Sequence, residues 1–433
     1  MIRKSLTPLS NFVFKPSVQV SSFAPSVWSE FSPLAMKHKS INLGQGFPDF
    51  DPPELLINAL RRTLDQGGFH QYTRSAGHMR LVNALANTYS SLFDRQLDPL
   101  TEIATTVGAS EGLFATIQSI VNRGDEVILM EPFFDIYTGA VLMAGGELRY
   151  VSLKERGARG ADGARLASQW QIDWSELERA ITPKTKMILI NNPHNPTGKV
   201  WSREELMRLC DIVKRHPNIV LVSDEVYEFM TFDDAKHTRV ATLPGMFERT
   251  VTVCSSGKTF SSTGWKIGWV IGPKPIITAI ANTHQYIPFS VSTMSQEAVA
   301  VAFENAGKQG YYEKLREMYQ GKRDRLFKGL TEAGLDPVCP QGTYFILADT
   351  SKIKLKGDQG QNTSITGIGK HLRDWNVCRW LTTDIGVTAI PPSAFYSDEH
   401  AHEAANYARF TFCKQDQVLD NANKALLKLN KLY

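Results

Sequence analysis

The chain has 433 residues, 42% of them apolar and 10% aromatic, enough to bury a full core and to divide into one large and one smaller domain. Its 48 Lys and Arg against 44 Asp and Glu leave a net charge of +4 with no cationic block, which argues against nucleic acid as the main partner. The five cysteines form no C-x-x-C pair and hence no disulfide framework or zinc site, and no apolar run approaches the roughly 18 residues of a membrane span.

The first 29 residues contain no Asp or Glu, carry Arg3, Lys4 and Lys15, and are rich in serine. That composition suits a mitochondrial transit segment and equally a domain-bridging arm, so cytoplasmic and mitochondrial residence both stay open. From about residue 100 to 270 helix and strand patterns alternate at βαβ spacing, the signature of an α/β fold with a mostly parallel sheet. The spacing of Leu113, Ile117, Ile120 and Val121 predicts a helix over Glu111 to Asn122, followed by Gly124 and a strand from Glu126 to Met130. Glycine and charge in Lys154 to Gly163 predict a surface insertion.

Three further strands end in polar groups. Lys186 to Ile190 runs into Asn191-Asn192-Pro193-His194-Asn195-Pro196-Thr197-Gly198, Ile219 to Val222 into Ser223-Asp224-Glu225-Val226-Tyr227, and Thr250 to Val253 into Ser255-Ser256-Gly257-Lys258-Thr259. Between the first two, Ser202 and Glu205 form a capping box that opens a helix running towards His216. After about residue 305 a long helical segment leads into Gly342 to Leu347, Lys352 to Gly369 reads as a second insertion, and an amphipathic helix carries Val418, Ala422, Ala425, Leu426 and Leu429. The expected division is an arm over 1–29, a large domain over 55–305, and a smaller α+β domain made of 30–54 and 306–433.

Ligands of open α/β sheets bind beyond the carboxyl ends of the strands, so Asn195, Asp224, Tyr227 and Lys258 converge on one crevice. A lysine amine condenses with an aldehyde to a Schiff base, and an aspartate facing a pyridine nitrogen keeps that ring protonated as an electron sink. The pair points to pyridoxal 5′-phosphate, with Asn195 and Tyr227 reaching the 3′-oxygen of its ring. Gly108-Ala109-Ser110, just ahead of the helix expected from Glu111, offers backbone N–H groups to the phosphate, and Ser255 and Lys266 add a hydroxyl and a charge. Phe134 is placed to stack on the ring. Arg409, in an apolar strand-like run, suits the α-carboxylate of an amino acid. Taken singly, Asp224 reads as a helix cap, Tyr227 as a core aromatic, Gly108 as a turn glycine and Arg409 as half of a structural ion pair.

Other motifs fail. Gly257-Lys258-Thr259 ends like a nucleotide-phosphate loop, but Thr252 stands where that loop needs its first glycine, and Gly44-Gln45-Gly46 is followed by Asp49 in place of the third glycine of a dinucleotide fingerprint. His400 and His402 beside Glu403 make no H-E-x-x-H and read as solvated histidines, so no metal is expected.

From Trp28 to the C-terminus the chain resembles the fold-type I pyridoxal-phosphate aminotransferases, in the branch of kynurenine aminotransferase, also called glutamine transaminase K or cysteine-conjugate β-lyase. The resemblance rests on Asn42 to Phe50, Glu131 to Asp135, Pro193 to Val200, Ser223 to Tyr227 and Gly257 to Ser261. It implies a large domain with a mostly parallel seven-stranded sheet between helices, Lys258 as the Schiff-base residue, Asp224, Tyr227 and Asn195 as ring contacts, and Arg409 as the carboxylate clamp. It adds Trp28, Gly46, Phe289 and Phe395 as substrate-pocket residues, and Tyr72 as a phosphate contact from the other subunit of a homodimer. Ser110 and Ser290 stand where some relatives have tyrosine and histidine, and Lys266 replaces a more common arginine. The implied reaction moves the amino group of kynurenine, or of a related aromatic or glutamine-type amino acid, to a 2-oxo acid, kynurenine giving kynurenic acid. Cysteine-S-conjugate β-elimination in the same site is the alternative reaction, and a non-catalytic regulator the alternative class.

Overall fold

The computed structural model describes residues 13–160, 163–355 and 372–431. Its large sheet is built from β1 (Ile103–Val107), β2 (Glu126–Glu131), β3 (Glu147–Glu155), β4 (Trp170–Ile172), β5 (Thr185–Asn191), β6 (Val220–Asp224), β7 (Thr250–Ser255) and β8 (Ile267–Ile271). The order across it is β1-β8-β7-β6-β5-β2-β3-β4. Strands β3, β2, β5, β6 and β7 are parallel neighbours, and β8 lies antiparallel between β7 and β1. The sheet therefore carries eight strands where seven are expected. The eighth is the three-residue β4, which folds back antiparallel along Leu153–Glu155.

Both faces are covered, which is why these strands read as unbroken apolar runs. In β5, Met187 and Leu189 enter one core while Ile188 and Ile190 enter another on the opposite face. The helix over Arg203–Lys214 packs Leu206, Leu209 and Val213 onto the second, and its start carries the expected capping box: Ser202 Oγ accepts from the Glu205 N–H at 3.1 Å and Glu205 Oε2 from the Ser202 N–H at 2.9 Å.

A second body surrounds a sheet of β9 (Asp336–Cys339), β10 (Phe345–Asp349) and β11 (Tyr407–Thr411), ordered β11-β10-β9 and extended by the two-residue strand Arg165–Leu166. Its core joins Val27 and Phe31 of the helix Val27–His38 to Leu326, Phe410, Leu419 and Leu426. The expected surface insertion, Lys154 to Gly163, is exposed over Arg156 to Arg159, and the chain beyond it joins the second sheet. Arg165–Leu166 pairs with Val338–Cys339, and Arg165 is held by Glu155, by Asp349 at 2.9 Å and by Tyr407. Of the second expected insertion, residues 356–369 lie outside the described residues.

The helix expected from Glu111 begins at Gly108. Gly108 takes φ +70, and Glu111 Oε2 accepts the Val107 N–H at 3.0 Å, so Gly108, Ala109 and Ser110 form the first helical turn. Their amide N–H groups point outward at the end of β1, without intrahelical acceptors. No described helix is long and apolar enough to cross a membrane.

Candidate active site

The carboxyl ends of β5, β6 and β7 open onto a cavity of ≈ 230 Å³ against the second body. Its wall includes Gly108, Ala109, Ser110, Phe134, Asn195, Asp224, Tyr227, Ser255, Lys258 and Lys266 from the large sheet and its loops. Trp28, Gly46 and Arg409 close the other side.

Lys258 lies on the single helical turn Ser256–Thr259 directly after β7. Its Nζ donates to the Tyr344 hydroxyl and lies 5.5 Å from the centroid of the Tyr227 ring. Burial lowers its pKa to about 8, and the charges of Arg409 and Lys266 push the same way while Asp224 opposes them. At that pKa roughly a tenth of the amine is neutral and nucleophilic at pH 7, far more than for an ordinary lysine.

Asp224 ends β6 and is 3% exposed. Burial pushes it up to about 6, against the hydrogen bonds it accepts from the Tyr137 hydroxyl at 2.6 Å and the Val226 N–H at 3.3 Å. A cation brought beside it draws the carboxylate back towards ionisation. Asn195 is set by Asn191, whose Oδ1 accepts the Asn195 N–H at 2.7 Å and whose Nδ2 donates to the Asp224 carbonyl at 2.8 Å. One side chain thus staples two of the three strand ends.

Arg409 is 2% exposed in β11. Nη1 donates to Asn195 Oδ1 at 3.2 Å and Nη2 to the Gly44 carbonyl at 2.9 Å, while Nε is buried without a partner. Among the described residues no carboxylate forks the guanidinium, so the structural ion pair is not formed there. The Phe345, Phe395 and Trp28 rings stand 4.1, 4.7 and 5.5 Å from its central carbon, and burial lowers its pKa to about 10. Phe395 is thereby placed below the clamp, on the 3₁₀ turn Pro392–Phe395.

Three expected residues do not line the cavity: Phe395 packs against Arg409 without reaching its wall, and Tyr72 and Phe289 lie away from it. Tyr72 is 83% and Phe289 49% exposed, and their rings meet edge to face at 5.1 Å on the outer surface. Four residues that sequence reasoning missed belong to the site or its frame: Tyr137, Asn191, Tyr344 and Phe345. Tyr137 lies in the first turn of the helix just after Phe134, and the two rings meet edge to face at 5.9 Å. His400 is not simply solvated, since its Nδ1 pairs with the buried Glu131. Among the described residues no cluster of His, Cys, Asp and Glu could hold a metal ion.

The family model "Aminotransferase class I and II" matches residues 38–426. The chain belongs to this aminotransferase family. Its members depend on pyridoxal 5′-phosphate and act on amino and 2-oxo acids. The aminotransferase is 60% identical, over all of both chains, to the kynurenine–oxoglutarate transaminase of Dictyostelium discoideum. Its fold superposes on Bna3p of Saccharomyces cerevisiae with a TM-score of 0.91 at 38% identity, covering 98% of this chain and 100% of that one. It also superposes on YbdL of Escherichia coli, which has a methionine aminotransferase function, with a TM-score of 0.85 at 33% identity over 96% and 100% of the two chains.

Proposed function

We propose that this aminotransferase moves the amino group of kynurenine, or of a related aromatic or glutamine-type amino acid, to a 2-oxo acid, with pyridoxal 5′-phosphate held on Lys258. The observation that carries the reading is the convergence of Lys258, Asp224 and Arg409 on one cavity, in a chain 60% identical to a kynurenine–oxoglutarate transaminase.

The donor set fits the cofactor. Gly108, Ala109 and Ser110 turn helix N–H groups towards a phosphate, beside Ser255 and Lys266. A Cβ at Gly108 would stand 3.2 Å from Lys266 Nζ, so the glycine keeps that cradle open. Asp224 would meet the ring nitrogen, Asn195 and Tyr227 the ring oxygen, and Phe134 the ring face. When bound, the cofactor supplies an aldehyde that condenses with amines and a protonated ring that takes up an electron pair from Cα.

The remaining work falls to the protein. Arg409 holds the α-carboxylate of donor and acceptor in turn, with Nε still free to donate. The aromatic walls at Trp28 and Phe345 receive an apolar or aromatic side chain and exclude water, with Phe395 packed behind the Arg409 guanidinium. The free Lys258 amine would take the proton from Cα and return it two atoms away, across the amino nitrogen, on the carbon that bore the aldehyde.

Exposure of Tyr72 and Phe289 supports a homodimer in which Tyr72 of the partner subunit reaches the phosphate. Residence in cytoplasm or mitochondrion is proposed from the acid-free segment 1–29, whose first 12 residues lie outside the described ones. Import of a reporter fused to that segment separates the two.

The test is turnover of kynurenine with 2-oxoglutarate by the reconstituted protein, read as kynurenic acid, alongside glutamine, methionine and phenylalanine. No 2-oxo product from any donor would refute the reading. Pyruvate and ammonia from a cysteine S-conjugate would assign β-elimination to the same site.

A further inference from the structure

We infer that Tyr344 is the rest for the free amine of Lys258 and keeps its lone pair on the side turned to the cavity. Tyr344 is fully buried in the turn before β10, with its ring edge-on to Tyr227 at 5.2 Å. Its hydroxyl donates to the Gly46 carbonyl at 2.6 Å, accepts from Lys258 Nζ and lies within hydrogen-bond reach of the Tyr227 hydroxyl.

The polarity of this chain of bonds is forced. A carbonyl oxygen can only accept, so the single phenolic proton is committed to Gly46 and the oxygen meets Lys258 as an acceptor. A neutral amine in this place spends an N–H on Tyr344 and keeps its lone pair. Were the phenol the donor, the lone pair would be consumed. Tyr344 stands behind Nζ, outside the cavity wall, so the unspent face of the amine is the one turned to the cavity. Glycine at position 46 permits the arrangement. A Cβ there would lie 2.9 Å from Tyr344 Cε2 and 2.4 Å from Phe345 Cζ, and the loop would have to retreat from the hydroxyl.

The inference rests on the proposed role of Lys258 and deepens it. In the proton transfer the Cα–H bond breaks, the proton joins the Lys258 lone pair, and the electron pair left on Cα passes to the ring. Tyr344 keeps its own proton throughout, because burial raises its pKa well above the ordinary phenol value. It is a positioning residue, acting through Lys258. As an acceptor it also favours the ammonium over the amine, and so partly offsets the burial that lowers the Lys258 pKa.

Tyr344→Phe keeps the ring and removes the oxygen. Two readouts separate positioning from scaffolding. The first is the pH dependence of recombination of the apoprotein with pyridoxal 5′-phosphate, followed by absorbance. The midpoint, set by the neutral amine, moves down by about half a pH unit or more in the variant. The second is turnover of α-protiated against α-deuterated donor. We expect kcat to fall about three- to tenfold with little change in KM, and the deuterium isotope effect to rise as proton transfer becomes limiting. A fluorotyrosine at 344, equal in shape but a poorer acceptor, gives smaller shifts in the same direction and serves if the Phe variant does not fold. An unmoved recombination midpoint together with an unchanged isotope effect overturns the inference, even if stability or KM suffers. Absence of cofactor recombination in the unsubstituted protein would instead refute the reading of Lys258 itself.

Discussion

The Tyr137 hydroxyl donates a 2.6 Å hydrogen bond to Asp224 Oδ2, tying the helix that follows Phe134 to the end of β6. The bond favours the charged carboxylate and opposes the burial that pushes Asp224 up to about 6. Tyr137→Phe therefore raises the Asp224 pKa further. The acid limb of kcat/KM should move to higher pH, with activity near pH 6 falling roughly tenfold and activity above pH 8 much less. A profile lowered evenly at all pH values would contradict this.

Asp224 itself carries a cost in stability. Its pKa rises from 3.8 to about 6 in the fold, so its contribution to stability is fully present below the lower value and is lost as pH rises through the higher one. Asp224→Asn should make the apoprotein more stable at pH 8 by about 1–3 kcal/mol, the gain shrinking towards pH 4.5 in paired thermal melts. The same variant loses the counter-charge of the ring nitrogen, and turnover should drop about a hundredfold or more.

Arg409→Lys replaces a fork by a point charge that cannot hold Asn195, Gly44 and a carboxylate at once. KM for amino and 2-oxo acids should rise about ten- to a hundredfold while cofactor affinity stays within about threefold. Steady-state kinetics with both substrates, set beside a cofactor titration, checks the pair of outcomes. An unchanged KM would remove Arg409 from the carboxylate site.

If Tyr72 serves the partner subunit's site, defects at Tyr72 and Lys258 lie in different chains of one site. Tyr72→Ala and Lys258→Ala homodimers should both be impaired. Dissociated and reassociated in equal amounts, they should regain about a quarter of the activity, since half the dimers are mixed and each holds one intact site. No recovery on mixing would place Tyr72 and Lys258 in the same chain's site.

Much of this site was legible because its reactive groups terminate apolar strands. Asp224 and Lys258 interrupt hydrophobic runs at points where a parallel sheet delivers side chains to one edge, and Arg409 is a cation inside a strand. The framing residues were not legible, because they act through bonds between segments far apart in sequence. Tyr137 and Asp224 are separated by 87 positions, Lys258 and Tyr344 by 86. An aromatic in an apolar helix, or in a strand's approach, reads as core until its hydroxyl is seen to have a partner. The eighth strand was hidden for a different reason. Trp170–Ile172 is three residues long, and pairing with β3 fixes it, not local propensity.

The central claim is that Lys258 is the amine that binds the cofactor's aldehyde. The most direct measurement is reduction of the reconstituted protein with borohydride, followed by mass mapping of its peptides. One phosphopyridoxyl group per chain, on the peptide containing Lys258 and absent from Lys258→Ala, is the predicted result. Stable modification of a different lysine, or none at all, would contradict the account.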